Sequence, residues 1–489
     1  MRCAVVTAAR ATRNADDDGD GEDGGASGAR DGSGARSGSG ARGGEVATGE
    51  AAAGGASLPR PLLRSAVELY LDLHAHPELS GQEHRTADRL AARLTGHGCT
   101  VTRSVGGGHG LVGVLRNGPG PTVLLRTELD ALPVTEATGL PYASTVPGVM
   151  HACGHDLHIA AVAGAVAHLA ATRDTWRGTV LVVGQPEEET LRGARSMLAE
   201  GRLYERFGVP DAVLAQHAAP LPAGTLAHAP AGGPPLMAGS VAVEAVLHGR
   251  GGHAATPHLN LDPVLMAAAT VLRLRTVVAE ATAPAEQAVL TVGSVRAGER
   301  GNVTPDHAEL SLTIRAFTEE ALDRLTAAAE RVVRAEAAAS GAPRTPEFTV
   351  TARSPVLRPD PALTARVRGA HEALLGPGRV LDLAGSAATE DFPHFASGGR
   401  GGLGAPGGPG ASAGPGGSGA VPVAYWMLGT TGAGPWRAAR AGGAPVPPNH
   451  APGFAPDVRA ALPVGITALA TAARHVLAPG PAGAREAAS

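Results

Sequence analysis

Residues 150–158 read Met150-His151-Ala152-Cys153-Gly154-His155-Asp156-Leu157-His158, and they hold three histidines, one cysteine and one aspartate. Imidazole and thiolate groups are ligands that zinc-like ions prefer, and a nearby carboxylate can orient a ligating imidazole. In an extended backbone, Cys153 and His155 would lie on one side and could bind one ion together. The apolar run that follows, 157–171, predicts a helix with Asp156 as its N-cap. The segment therefore predicts a metal site at the start of a buried helix.

Short apolar runs recur along the chain, and each is followed by side chains of the kinds that bind metals. The runs are 122–125, followed by Glu128 and Asp130; 178–183, followed by Glu187, Glu188 and Glu189; 211–215, followed by His217; and 423–428, with His450 in the loop beyond. Segments with helical spacing, such as 61–76 and 84–96, separate or precede these runs, so the pattern predicts buried strands of an α/β sheet. Ligand sites in such sheets lie beyond the carboxyl ends of the strands. We therefore expect these side chains to meet there.

Composition and charge narrow the class of protein. The 489 residues are enough for two or three domains, and the formal net charge is −4. This net charge argues against a nucleic acid or a membrane surface as a partner bound by overall electrostatic attraction. No apolar run reaches the roughly 18 residues that a membrane span needs. The cysteines are Cys3, Cys99 and Cys153, which is no disulfide framework. A thiolate ligand persists best in a reducing compartment, so we expect a cytoplasmic protein with Cys99 as a small core side chain.

Shifts in composition divide the chain. Large apolar side chains are scarce in the first segment, and Gly, Ala, Pro and Ser dominate a second one, so both are predicted to lack stable structure. The predicted division is a disordered tail at 1–57, a sheet domain in two parts at 58–237 and 356–475 with a low-complexity loop at 397–420, an inserted domain at 238–355, and a flexible tail at 476–489.

The inserted segment has its own order of elements. Strands are predicted at 241–247, 288–295, 308–317 and 347–352, and helices at 261–279 and 318–339. This β-α-β-β-α-β order is that of the ferredoxin-like split fold. We therefore predict a compact α+β domain inserted into the sheet domain.

Taken together, the motifs resemble those of the N-acyl-amino-acid amidohydrolases, the hippurate hydrolase and auxin-conjugate hydrolase group of the aminoacylase and carboxypeptidase G superfamily. The resemblance covers residues 65–475 and its motifs occur in the family's order. The matching motifs are 74–79 with Glu83, 125–133, 150–158, 185–189, His217, 249–253, 301–305, 390–392 and His450.

The resemblance implies a fold, a cofactor and a reaction. The fold would be a metal-dependent exopeptidase-like mixed sheet with helices on both faces, plus a ferredoxin-like lid and dimerisation domain that makes the protein a homodimer. The reaction would be hydrolysis of the amide bond of N-acyl amino acids or related small conjugates. The cofactor would be two divalent metal ions per chain, Zn or Mn ahead of Co or Ni. The implied ligands are Cys153, His155, Glu189, His217 and His450.

The remaining site residues are also carried over from the family. Glu188 stands at the position of the general base, and Asp130 at that of an orienting carboxylate. His253 stands where the family has an oxyanion donor that reaches in from the inserted domain, in related enzymes from the neighbouring subunit. Arg315 and Asn302 stand at the positions of substrate contacts, with the guanidinium suited to the substrate's carboxylate.

Several alternatives stay open at this level. Glu128 replaces the family's more common Asp, so it is not assigned as a ligand. His158 is expected to support the site, and His74 and His76 are expected to be structural. Two competing functions also remain: a dipeptidase acting on free-amine substrates, and a metal-binding protein of the same fold without turnover.

Overall fold

A computed structural model of the chain describes residues 58–230, 232–283, 286–398 and 420–480. The tail predicted at 1–57 and almost all of the loop predicted at 397–420 lie outside these ranges. Across the ranges described, no helix combines the length and apolar character needed to cross a membrane.

Helices and strands alternate along most of the described chain. The helices are α1 (Arg60–Ala75), α2 (His84–Gly96), α3 (His155–Ala171), α4 (Gly193–Ala199), α5 (Leu203–Phe207), α6 (Pro263–Ala281), α7 (Glu319–Ala339), α8 (Pro361–Leu375), α9 (His394–Ser397), α10 (Ala433–Arg440) and α11 (Val458–Val476). The strands are β1 (Thr100–Arg103), β2 (Leu111–Asn117), β3 (Thr122–Glu128), β4 (Trp176–Gln185), β5 (Ala212–Pro222), β6 (Leu226–His228), β7 (Gly239–His248), β8 (Gly252–His253), β9 (Ala288–Arg296), β10 (Val303–Thr304), β11 (His307–Ala316), β12 (Glu347–Ser354), β13 (Val380–Asp382), β14 (Val423–Thr431) and β15 (Ala478–Pro479).

The larger sheet is mixed and has the order β1-β2-β4-β3-β5-β14-β6-β13, with β15 paired to β4. Its centre, β4-β3-β5-β14, is parallel, so the carboxyl ends of these four strands lie on one edge. The four apolar runs predicted from the sequence are these four strands. They form because their side chains are buried on both faces of the sheet, which favours continuous apolar sequence.

Helices cover both faces of this sheet. On one face, α1, α2, α3, α8 and α11 enclose a large apolar core that includes Leu73, Leu90, Val166 and Ile466. On the other face, α4, α5 and α9 enclose a smaller core. The predicted mixed sheet with helices on both faces is therefore confirmed.

The inserted segment forms a second sheet of its own. Its order is β12-β7-β11-β9, with every pair antiparallel, which is the order of a ferredoxin-like fold. Helices α6 and α7 pack on this sheet around two apolar clusters drawn from residues 241–356. The short ribbon β8–β10 pairs His253 with Val303 and was not predicted, since two residues per strand carry no periodic signal.

Two local expectations were wrong. Helix α3 begins at His155 and not at Leu157, and its N-cap is Gly154. The φ of Gly154 is +87°, which suits glycine and interrupts any extended backbone between Cys153 and His155. Asp156 therefore lies in the first turn and is not the N-cap. Strand β5 runs five residues past His217 to Pro222. Of the tail predicted at 476–489, residues 476–480 are described, and Ala478 and Pro479 pair with β4.

Candidate metal centre

The five predicted ligands converge at the carboxyl edge of the parallel strands. His217 comes from β5, Glu189 from the loop after β4, and Cys153 and His155 from the start of α3. His450 follows α10 and its backbone amide donates to the carbonyl of Ala152 at 2.8 Å. Ligand-type atoms lie within 4.8 Å of one another in five overlapping sets. Three consist of predicted site residues: Cys153, His155 and His217; Cys153, Glu189 and His450; and His155, Glu188 and Glu189. The other two are Glu128, His155 and His158, and Glu188, Glu390 and Asp391.

The imidazole rings are oriented for metal binding. Nδ1 of His155 donates to the carbonyl of Asp130 at 2.8 Å, and Nδ1 of His217 donates to the carbonyl of Ala218 at 2.8 Å. Each bond uses Nδ1, so Nε2 is the ring nitrogen that would supply a lone pair to a metal ion once it is deprotonated. Among the residues described, Nε2 of His155 is buried without a hydrogen-bond partner. A buried imidazole nitrogen left bare in this way fits a metal ligand.

The charges of the site also fit divalent cations. Burial opposes ionisation of the Cys153 thiol, yet His217 and His155 hold its pKa well below the usual range. Burial, together with the Cys153 charge, raises the pKa of Glu189 to about 7. The same sulfur, acting against burial, raises the pKa of His217 to about 9. In the metal-free protein, bound protons therefore supply the positive charge that balances the negative charge of the ligands.

Glu188 and Glu189 diverge although they are neighbours. The side chain of Glu189 faces His450, and Oε1 of Glu189 lies 3.4 Å from Nε2 of His450. Glu188 is 5% exposed and its Oε2 atom lies 3.7 Å from Nε2 of His155. Burial, followed by the charge of Glu390, raises the pKa of Glu188 well above its usual range. Glu188 is therefore a buried carboxylate beside the ligand-type atoms that holds its proton more tightly than an exposed glutamate does.

A buried ionic network behind the site was missed by the sequence reasoning. Arg126 is almost fully buried on β3 and binds Glu128, Oε1 of Glu390 at 2.7 Å and Oδ1 of Asp391 at 3.0 Å. Tyr425 donates to Oε2 of Glu390 at 2.8 Å. An arginine inside the apolar run of β3 was the available signal, but its acidic partners lie 264 and 265 positions away.

The same network explains why Glu128 and His158 are not assigned as ligands. Nδ1 of His158 lies 2.9 Å from Oε2 of Glu128, and Nε2 of His158 accepts from the amide of Ala218 at 2.7 Å. Both ring nitrogens of His158 are therefore used, so the ring supports the backbone beside His217. Glu128 is held between Arg126 and His158.

Asp130 and His74 hold the two segments that carry ligands. Oδ2 of Asp130 accepts from the amide of Glu189 at 2.9 Å and from Oγ of Ser80 at 2.7 Å. Nδ1 of His74 lies 2.6 Å from Oδ2 of Asp156, next to His155. His74, Asp130 and Asp156 are all buried, and Oδ1 of Asp130 has no hydrogen-bond partner among the residues described.

The inserted unit places its predicted site residues away from the ligand cluster. His253 and Asn302 are exposed and adjacent, and Nδ1 of His253 accepts from the amide of Ala255. Within the described ranges, no hydrogen bond or ion pair joins His253 to the ligands. Arg315 donates to the carbonyl of Ala387 at 2.8 Å, a bond that joins the inserted unit to the segment leading into Glu390.

Comparison with known proteins identifies the family. The model of Peptidase family M20/M25/M40 matches residues 124–416. The chain is 34% identical over 331 residues to the N-acetyl-L-cysteine deacetylase of Bacillus subtilis, an alignment that covers 66% of this chain and 75% of that protein. It is 33% identical over 333 residues to the IAA-amino acid hydrolase ILR1-like 2 of Arabidopsis thaliana, covering 68% and 74%. A solved dinuclear metal binding peptidase of the M20 family from Bacillus subtilis aligns with a TM-score of 0.65 and 28% identity, covering 86% of this chain and 99% of that one.

The chain belongs to peptidase family M20/M25/M40. It is a metal-dependent hydrolase that acts on amide bonds, and the resemblance inferred from its motifs is confirmed.

Proposed function

We propose that this protein hydrolyses the amide bond of N-acyl amino acids or related small conjugates, with Glu188 as general base. The observation that carries the proposal is that Cys153, His155, Glu189, His217 and His450 fall in overlapping sets whose ligand-type atoms lie within 4.8 Å of one another, with the buried Glu188 in one of these sets. Relatives named as an N-acetyl-L-cysteine deacetylase and an IAA-amino acid hydrolase support the substrate class.

Two divalent ions, Zn or Mn ahead of Co or Ni, are the cofactor that the overlapping ligand sets favour. When bound, such ions lower the pKa of water and polarise a carbonyl oxygen. A thiolate ligand at Cys153 is compatible with the reducing conditions of the cytoplasm, which we take as the site of action.

Glu188 then carries the proton. Its carboxylate takes one proton from the water that attacks the carbonyl carbon, and it delivers that proton to the amide nitrogen as the carbon–nitrogen bond breaks. The products are a carboxylate and a free amino acid. The raised pKa of Glu188 in the metal-free protein, caused by burial and then by Glu390, favours a residue able to hold the proton between the two steps.

Substrate recognition is assigned to the inserted unit. Arg315 lies at the junction with the catalytic part, where its guanidinium can pair with the substrate's carboxylate, and Asn302 supplies an amide. His253 would donate to the developing oxyanion. Because His253 is exposed and its described polar contacts stay within the inserted unit, we assign it to the site of a partner subunit.

A homodimer through the inserted unit is consistent with its exposed apolar side chains. Leu265 and Leu272 of α6 are 68% and 72% exposed, and Val289 and Val295 lie exposed on β9. Strand β9 is an edge of its sheet, so its free backbone groups could pair with a second copy. An apolar helix face beside a free edge favours association.

A substrate panel tests the reaction. Protein reconstituted with each candidate metal is assayed on N-acetyl and N-benzoyl amino acids and on dipeptides with free amines. We expect turnover of the acylated substrates and little of the dipeptides. Preference for dipeptides would replace the proposal with the peptidase alternative, and metal binding without turnover of either class would leave only a metal-binding protein.

Mixed dimers test the assignment of His253. Glu188→Ala and His253→Ala chains are each expected to be inactive, and equal mixing should restore about a quarter of the parent activity, because half of the dimers then contain one complete site. No recovery after verified subunit exchange would place His253 in its own chain's site or outside catalysis.

A further inference from the structure

We infer that Glu83 is a positioning residue for the loop that carries the catalytic carboxylates, a role that rests on the proposed function of Glu188. This loop, residues 186–192 between β4 and α4, is called the β4–α4 loop. Glu83 lies on the turn between α1 and α2, 104 positions before its contact in that loop.

Two buried carboxylates fix the backbone on either side of Glu188. Oε1 of Glu83 accepts from the amide of Glu187 at 2.8 Å, and Oδ2 of Asp130 accepts from the amide of Glu189 at 2.9 Å. Ser80, on the same turn as Glu83, donates to that oxygen of Asp130 at 2.7 Å. The turn therefore restrains both amides, and the side chain of Glu188 starts between them.

The backbone that Glu83 holds is unfavourable for its sequence. Glu187 has a φ of +53° and Leu191 a φ of +57°, in the left-handed region that favours glycine. Such conformations persist where surrounding contacts fix them, and they cluster at functional sites. The bond from Glu83 to the amide of Glu187 is a contact of this kind, because it acts on the strained residue itself.

The carboxylate of Glu83 does not cap the helix that follows it. Glu83 is the N-cap residue of α2, yet its side chain accepts no hydrogen bond from that helix. The first-turn amides of Arg85 and Thr86 donate instead to Glu78, at 3.0 and 2.8 Å. Glu83 is fully buried, and its Oε2 atom has no hydrogen-bond partner among the residues described. Burial of a carboxylate oxygen without a hydrogen-bond partner costs free energy. That the buried carboxylate nevertheless bonds to the β4–α4 loop is consistent with a positioning role.

Glu78 provides a matched control. It is a glutamate of the same turn that also accepts backbone amides, but its amides belong to α2 and not to the β4–α4 loop. Loss of a structural cap at Glu78 should lower thermal stability, and loss of Glu83 should release the loop.

Hydrogen–deuterium exchange in the metal-free full chain separates these roles without an assay of activity. In Glu83→Ala, we expect amides of the β4–α4 loop to exchange at least about tenfold faster, with parent-like exchange in Glu78→Ala and in Glu83→Gln, which keeps the accepting oxygen. Unchanged loop exchange in Glu83→Ala, or equal loss of protection in Glu78→Ala, would overturn the inference.

Kinetics on the metal-loaded enzyme complete the test. We expect Glu83→Ala to lower kcat by about tenfold to a hundredfold with KM and metal content near parent values, and Glu83→Gln to restore most of kcat. A parent-like kcat in Glu83→Ala, or Glu83→Gln as impaired as Glu83→Ala, would also overturn it. If the parent enzyme hydrolyses no N-acyl substrate while the exchange result holds, the proposed function fails and the structural bond between Glu83 and the loop stands.

Discussion

Nε2 of His217 lies 3.4 Å from Sγ of Cys153, although the two residues are 64 positions apart. Strand β5 supplies the imidazole and the turn before α3 supplies the thiol. Burial opposes ionisation of the Cys153 thiol, but His217 and His155 hold its pKa low. The sulfur of Cys153 in turn raises the pKa of His217. In the metal-free site, these opposite shifts favour a thiolate beside an imidazolium, in which a proton occupies a position that a metal ion needs.

This pair predicts proton release on metal binding. Cys153 raises the pKa of His217 to about 9, and hydrogen bonds to Cys153 and Glu189 raise that of His450 to about 10. At pH 7 both imidazoles are protonated, so a metal must displace their protons, and affinity should rise with pH up to about 9 to 10. Titration calorimetry in buffers of different ionisation enthalpy measures the release. The His217→Asn variant should release fewer protons than the parent protein. A metal affinity that is independent of pH, with a binding heat that is independent of the buffer, would contradict this prediction.

Glu188→Ala is expected to abolish hydrolysis while metal content stays near that of the parent. Removal of a positioned general base costs about 10² to 10⁴ in rate. Glu187→Ala is the control, because that neighbouring carboxylate is half-exposed and its side chain lies against Gly81. Initial rates and elemental analysis of both variants decide the point: equal activity in the two variants would remove Glu188 as the base.

Cys153→Ser is expected to weaken metal binding by at least about tenfold, because a hydroxyl is a poorer ligand than a thiolate for zinc-like ions. Cys99→Ser is the control, since Cys99 is a buried thiol of the apolar core, where burial raises its pKa to about 11. Competition with a chromogenic chelator measures both affinities. The ligand assignment fails if the two substitutions weaken binding equally.

A buried histidine pair outside the ligand set, His228 and His371, predicts a loss of stability in acid. Nε2 of His371 donates to the carbonyl of Ala468, and its Nδ1 atom lies 3.0 Å from Nε2 of His228, so both buried rings are neutral. Burial lowers the pKa of His371 to about 4. The unfolded chain then binds more protons between about pH 6.5 and 4, so the free energy of unfolding falls as pH drops through that window, by roughly 3 kcal/mol for this ring.

Denaturant unfolding at several pH values measures this effect. His371→Gln should lessen the slope of the profile between pH 6.5 and 4, with the part due to His228 remaining, and substitution of the exposed His258 by Asn should leave it unchanged. Parallel profiles for His371→Gln and the parent would show that the ring is protonated at little cost in the folded state.

Much of the fold could be predicted because buried elements leave periodic patterns. The apolar runs at 122–125 and 423–428 became β3 and β14, and the inserted unit followed its predicted strand order. The start of α3 was misplaced because Asp156 is a common N-cap residue, whereas Gly154 takes that position through its positive φ.

The ligand set came from motifs, but its supporting network did not. Arg126 meets Glu390 and Asp391 only through the fold, since residues so far apart share no local pattern. For the same reason, the bond between Glu83 and the amide of Glu187 could not be read from the sequence. Spacing predicts which side chains share an edge of the sheet, and tertiary packing decides which of them are in contact.

We propose that five side chains from distant parts of the sequence form one two-metal centre. Crystals of the metal-loaded protein, measured at the absorption edge of the metal, show whether they do. We expect two anomalous peaks in each chain, both bordered by ligand atoms of Cys153, His155, Glu189, His217 and His450. An absent peak, or a map in which His450 lies away from Cys153, would contradict it.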